Sequence, residues 1–192
     1  MLKKFALTLI LALGTSPVFA AAERYTLDPS HTTVAFLIEH IGFAKTLGQF
    51  SGVSGSFSFD ADTQTVSDIS IVVETNTVNS ANKARDKHVR NKDFLNVKKY
   101  PNMVFTAQSA TLTDNAGEIT GELQLLGQTN PLTLSVNLNK AAKYPFGHKK
   151  LTLGVSARGN VQRSSYGMNY GVANNIVGDN VELILEIEAI KD

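Results

Sequence analysis

A chain of 192 residues with 18 basic and 17 acidic side chains has a formal net charge of +1, so its overall balance gives no reason to expect a nucleic acid or other polyanion as partner. The absence of cysteine excludes disulfides, thiolate chemistry and lipid attachment through an N-terminal cysteine. No linker rich in Pro or Ser and no internal repeat divides the chain, which suits a single domain.

The first 22 residues read as a leader. Lys3 and Lys4 form a positive start, Phe5 to Leu13 an apolar run, and Gly14 to Ala20 a small-residue stretch with a helix breaker. The apolar run is short for a spanning helix, which needs ~20 residues. The reading is a signal peptide over residues 1–22, cut near residues 20–22, followed by one domain over residues 23–192 and export to the periplasm. Without Lys3 and Lys4, 16 basic residues face 17 acidic ones.

From there on the dominant signal is alternation with a period of two, the mark of strands with one apolar and one polar face. TVAFLIEH places Val34, Phe36, Ile38 and His40 on one face. VSGSFSFD does so with Val53, Phe57 and Phe59, and SDISIVVE with Ile69, Ile71 and Val73. After an interruption the pattern resumes in Met103 to Ala107, ITGELQL, PLTLSVNLN (Leu132, Leu134, Val136, Leu138), LTLGVSARGNV and VELILEIEAI. With Tyr25 to Leu27 this gives eight or nine strands. Turn residues at Asp60–Asp62, Asp114–Gly117 and Gly127–Pro131 predict hairpins, hence antiparallel neighbours. Such a set must close into a sandwich or a barrel. With no Trp and only five Tyr, the aromatic girdles of a membrane barrel would be thin, so the apolar face is expected to point inward.

Residues 79–101 break the alternation. Ala81 to Arg90 predicts a short helix capped by Asn79 or Ser80, and Lys92 to Leu95 a further helical turn. The late segment YGMNYGVANNIVGDN reads as a long loop at a barrel end or a bulged strand, with Tyr166, Met168 and Tyr170 at the mouth. The four histidines are scattered and fit no metal spacing, and no nucleophile elbow or phosphate loop is present.

The run ARDKHVRNKDFLNVKKYPNMVF, together with FLIEHIGFAKTLGQFSGVSGSFSFD, ITGELQLLGQTNPLTL and GMNYGVANNIVGDNVELILEIEA, resembles the YceI family of exported, lipocalin-like proteins. The resemblance covers nearly the whole chain after the leader. It departs at Ser165 and Tyr166, where the family has Asp or Asn and then Phe before the late glycine. It implies an all-β fold, an extended eight-stranded antiparallel lipocalin-like barrel with a short helical insertion near residues 81–95. It also implies an apolar cavity for a polyisoprenoid, either a prenylquinone or a prenyl phosphate.

On that basis the expected cavity residues are Phe36, Ile38, His40, Phe57, Phe59, Phe94, Tyr100, Phe105, Leu134, Tyr166 and Met168. The expected rim or headgroup residues are Arg85, Lys87, His88 and Arg90, whose guanidinium groups suit phosphate or quinone oxygens. Catalytic residues, metals and required cofactors are expected to be absent, with an isoprenoid lipid as ligand and a membrane surface or membrane redox protein as transient partner. The oligomeric state is left open. Two alternatives stand beside this reading. One is a small enzyme acting on a lipid in the same barrel, with His40, Tyr166 and Asp86 as its polar groups. The other is a ligand-free sandwich or barrel.

Overall fold

The computed structural model describes residues 22–192, so the expected leader, all but its last residue, lies outside the described residues. Eleven strands follow in chain order: β1 (Glu23–Leu27), β2 (Thr33–His40), β3 (Ala44–Phe50), β4 (Val53–Asp60), β5 (Thr65–Glu74), β6 (Val78–Asn79), β7 (Asn102–Thr111), β8 (Ala116–Leu125), β9 (Gln128–Lys143), β10 (Leu151–Gln162) and β11 (Val177–Lys191). One helix, α1 (Lys83–Val89), lies between β6 and β7.

All ladders are antiparallel, in the order β1-β4-β5-β7-β8-β9-β10-β11, and β11 returns to β1 through Tyr25↔Lys191 and Leu27↔Ala189. That circuit closes an eight-stranded barrel, as the family resemblance implies. β2 continues the line of β1 along β11, with Val34 opposite Leu185 and His40 opposite Val177. β3 pairs with β2 and leads through a short turn into β4, which pairs with β1. Three staves are therefore broken strands, β1 with β2, β3 with β4, and β5 with the short β6 that follows it along β3, which is why eleven segments make eight staves.

The apolar sides point inward. Phe57, Phe59, Ile71, Phe105, Leu123, Leu134, Leu153 and Leu185 are all buried. Outward positions of β8 and β9, such as Glu118, Thr120, Glu122, Ser135 and Asn137, are exposed. A lipid-facing wall would reverse that arrangement.

The predicted interruption is real but differs in detail. The helix begins at Lys83, and its cap is Asn82, not Asn79 or Ser80: the Asn82 side chain accepts from the amides of Ala84 and Arg85. Ser80 is engaged elsewhere, donating its amide (2.8 Å) and hydroxyl to the buried Asp86 carboxylate. Lys92 to Leu95 forms turns, not helix. The hairpin after β8 is also tighter than expected. Only Leu126 and Gly127 form its loop, both at positive φ, and Gln128 is already strand.

The bend between β1 and β2 is held by charge. Asp28 Oδ2 lies 2.8 Å from His31 Nδ1, and Asp28 Oδ1 accepts from the Ser30 amide (2.9 Å) and hydroxyl (2.6 Å). The hydrogen bond to His31, helped by Ser30, lowers the Asp28 carboxyl to about 2, and the same contact raises the His31 imidazole above its ordinary 6.5. The Asp28 contribution is present above its ordinary 3.8 and fades as pH falls toward about 2. The His31 contribution is full below 6.5 and is lost as pH rises through its raised folded value. The pair thus stabilises the fold most between about pH 4 and 6.5. Urea unfolding of wild type and His31→Ala should show a larger midpoint loss at about pH 5 than at about pH 8.5. Equal losses at both would contradict this role.

Candidate functional site

A cavity of about 340 Å³ opens between β2, β11, β7 to β9 and the α1 segment, within the range of ~300–1,000 Å³ usual for small-molecule sites. Past β6, which pairs with β3 at Phe50↔Val78, no ladder among the described residues joins β3 to β7. Val89, Phe94 and Leu95 of the α1 segment supply wall there. A second void of about 70 Å³ lies against Phe57, Phe59, Ile69 and Leu153. Ile71, Phe105, Leu134 and Leu185 border both spaces and form a collar between them.

The main cavity is apolar along its length, with its polar groups in the residues of the α1 segment, the β2–β3 hairpin and the loop after β10. Arg85 donates through Nε to the Ser80 hydroxyl (2.7 Å) and through Nη2 to the Ser80 carbonyl (2.6 Å), so its guanidinium is fixed on the wall. Burial alone would raise the Asp86 carboxyl behind it. The hydrogen bonds from Ser80, with Arg90 and Arg85 nearby, outweigh burial and hold it below its ordinary value. His88 Nε2 lies 3.0 Å from Asp93 Oδ2, and its ring meets Phe94 (5.1 Å) and Tyr170 (4.9 Å) edge-on. Phe94 and Tyr170 are themselves 5.2 Å apart, so three aromatic rings join the α1 segment to the loop over residues 167–176.

That loop is organised by Arg163, whose side chain is among the most buried of the described residues. Its guanidinium donates to the carbonyls of Gly178 (2.7 Å), Met168 (2.7 Å), Tyr170 (2.8 Å) and Val177 (2.8 Å), and lies 5.8 Å from the centre of the Phe94 ring. Burial lowers its pKa, an effect that Asp179 partly opposes.

Of the residues expected at the cavity, Phe36, Ile38, His40, Phe94, Phe105, Leu134 and Met168 line it, as do Arg85 and His88 from the expected rim. Phe57 and Phe59 border the smaller void. Tyr100, expected at the cavity, does not line it. It packs over Gly127 with Lys99 above its ring, and its carbonyl accepts from the Thr75 hydroxyl. Tyr166 is buried outside the cavity lining, and Tyr170 lines it. Lys87 is exposed and does not line the cavity. Arg90 bonds the carbonyls of Asn76 and Val78 and borders a polar hollow with Asn79, Asn82 and Asp86, so it braces β6. Sequence reasoning passed over Arg163, although it continues the inward parity of Ala157 and Val161.

Asp28, His31 and Glu188 bring ligand atoms within 4.8 Å of one another, a grouping that the scattered histidines did not foretell. Hydrogen bonding accounts for the part of it closest in space, since Asp28 is committed to both Ser30 and His31.

The profile of the YceI-like domain matches residues 25–189. The chain belongs to the YceI-like family. It is 32% identical to the YceI protein of Salmonella arizonae over 181 residues, 94% of this chain and 93% of that one. The crystal structure of a Campylobacter jejuni YceI protein superposes with a TM-score of 0.72 at 26% identity, covering 81% of this chain and 90% of that one. A Saccharophagus degradans domain described as polyisoprenoid-binding and implicated in plant cell wall breakdown shares the fold, with a TM-score of 0.66 at 14% identity over 88% of this chain and 98% of that one.

Proposed function

We propose that this YceI-like protein holds a polyisoprenoid lipid in its barrel and carries or stores it in the periplasm without converting it. The observation that carries this reading is the apolar cavity with Arg85, His88 and His40 among its few polar groups. An isoprenoid chain suits the apolar lining, and a phosphate or quinone head would meet the Arg85 guanidinium and the imidazoles. The polyisoprenoid-binding description of the S. degradans neighbour supports the same ligand class.

The energetics agree. Side chains leave about 340 Å³ unfilled, so the apolar atoms lining it lack the packing partners that a dense core supplies. A guest hydrocarbon restores those contacts. Against water each buried methylene is worth ~0.8 kcal/mol, but a lipid tail is already buried in its bilayer. Exchange between bilayer and barrel is therefore near balance, which suits a carrier that must both load and release. Carriage is favoured over catalysis because the polar groups that an enzyme would use do not converge. Asp86 is turned onto Ser80, and Tyr166 lies outside the cavity lining.

Mass spectrometry of organic extracts from the protein purified out of its own cells tests the reading. One prenyl lipid of defined chain length, near one per protein and intact after long incubation, is expected. An extract without such a lipid, or one in which the lipid is converted, would overturn it.

A further inference from the structure

We propose that the β2–β3 hairpin tip and the neighbouring loop over residues 167–176 form a membrane-docking surface, which seats the cavity mouth on an anionic bilayer. Six large hydrophobic residues are exposed among those described, and five of them gather here: Phe43 (90% exposed), Leu47 (59%), Ile41 (49%), Tyr170 and Ile176. They are one surface. The Ile41 amide donates to the Ile176 carbonyl (3.1 Å), Leu47 follows Phe43 on the same hairpin, and Tyr170 joins this loop to His88 of α1. Ile38, His40, Tyr170, Ile176 and Val177 line the cavity itself, so the apolar tip borders its opening.

The turn at the tip is built against local preference. Phe43 donates its amide to the His40 carbonyl (3.1 Å), and the two central residues, Ile41 and Gly42, have φ of 53° and 70°. A β-turn with positive φ at both central positions favours Asn or Gly at each. A β-branched residue there is strained, and this one remains 49% exposed. The isoleucine keeps an apolar side chain in water at a position where asparagine would ease the backbone.

Charge selects the partner. Residues 79–100 carry seven basic side chains and two acidic ones, while the rest of the domain after the leader carries nine basic and fifteen acidic. Both acids are occupied, Asp86 by Ser80 and Asp93 by His88. Lys83, Lys87 and Lys92 are exposed, and no ion pair among the described residues includes them. At the hairpin, Lys45 pairs with Glu182 and the exposed Glu39 leaves one negative charge, so the attraction to an anionic surface comes from the neighbouring basic segment. An apolar tip beside a basic helix matches an anionic lipid surface. A second copy of the chain would bring the same basic segment against itself. The purpose of docking rests on the cavity being a lipid site; its geometry does not.

The test is flotation with mixed phosphatidylethanolamine and phosphatidylglycerol vesicles, with neutral phosphatidylcholine vesicles alongside. Wild type should bind the anionic vesicles more tightly. Phe43→Ser should weaken that binding by about tenfold or more, since a buried phenylalanine contributes more than the 1.4 kcal/mol that one decade represents. Ile41→Asn should weaken it as well while melting at the same temperature or higher, so that lost binding is not lost folding. Wild type that fails to float, variants that float equally well, or a wild-type dimer abolished by these substitutions in place of vesicle binding would each overturn the proposal. Extracted lipid reports separately: its presence in variants that no longer float leaves the ligand reading intact, and its absence from wild type defeats that reading without altering the flotation result.

Discussion

Replacing Arg163 with methionine should destabilise the protein by about 3–5 kcal/mol, read as a lower denaturation midpoint. The guanidinium is 1% exposed and meets four carbonyls at 2.7–2.8 Å. Methionine approximates the length and apolar body of the side chain but supplies no donor. Each carbonyl left buried and unpaired costs ~1–3 kcal/mol, and the loop over residues 167–176 limits the total by opening to water. The expected effect is therefore also local, with faster hydrogen exchange and new protease cleavage in that loop and loss of the Tyr170 contact with His88. Lysine should not rescue, because one ammonium cannot reproduce the planar fork that spans Met168, Tyr170, Val177 and Gly178. A methionine variant within about 1 kcal/mol of wild type would show that the loop is held by something else.

Leu183→Trp should reduce lipid occupancy by about tenfold or more while leaving the fold intact. Leu183 pairs with Phe36 and Gly159 across β11 and lines the main cavity. An indole at that position enters unfilled space, so the overpacking cost of ~1–3 kcal/mol expected in a dense core is relieved. The ligand-free protein should melt at or above the wild-type temperature, and the stabilisation that bound lipid confers on wild type should disappear. Unchanged occupancy would place the ligand outside this cavity.

What could be read from the chain tracks the range of the forces involved. Strand and face assignment is local, and β2, β4, β5 and β8 to β11 are all anticipated by alternation alone. β3 escaped because its evident apolar residue, Leu47, faces outward, while its inward positions hold Thr46, Gly48 and Phe50. Gly48 has a reason visible only in three dimensions: it sits opposite Phe36, whose ring lies where a Cβ would be. The helix cap was placed at Asn79 or Ser80 and is in fact Asn82, because Ser80 is taken up by Asp86 reaching back to it. Arg90 and Tyr100 were assigned to the mouth on residue type. Their actual partners, the Asn76 and Val78 carbonyls and Gly127, depend on how distant segments meet. Arg163 was the avoidable omission, since strand parity already pointed it inward.

The most direct test of the hollow barrel is a crystal structure of the protein purified from its own cells without delipidation. Continuous, slender density is expected to run past Phe36 toward the collar of Phe105 and Leu134, with its polar end beside Arg85 and His88. Side chains collapsed into that space, or ordered water filling it, would contradict the account.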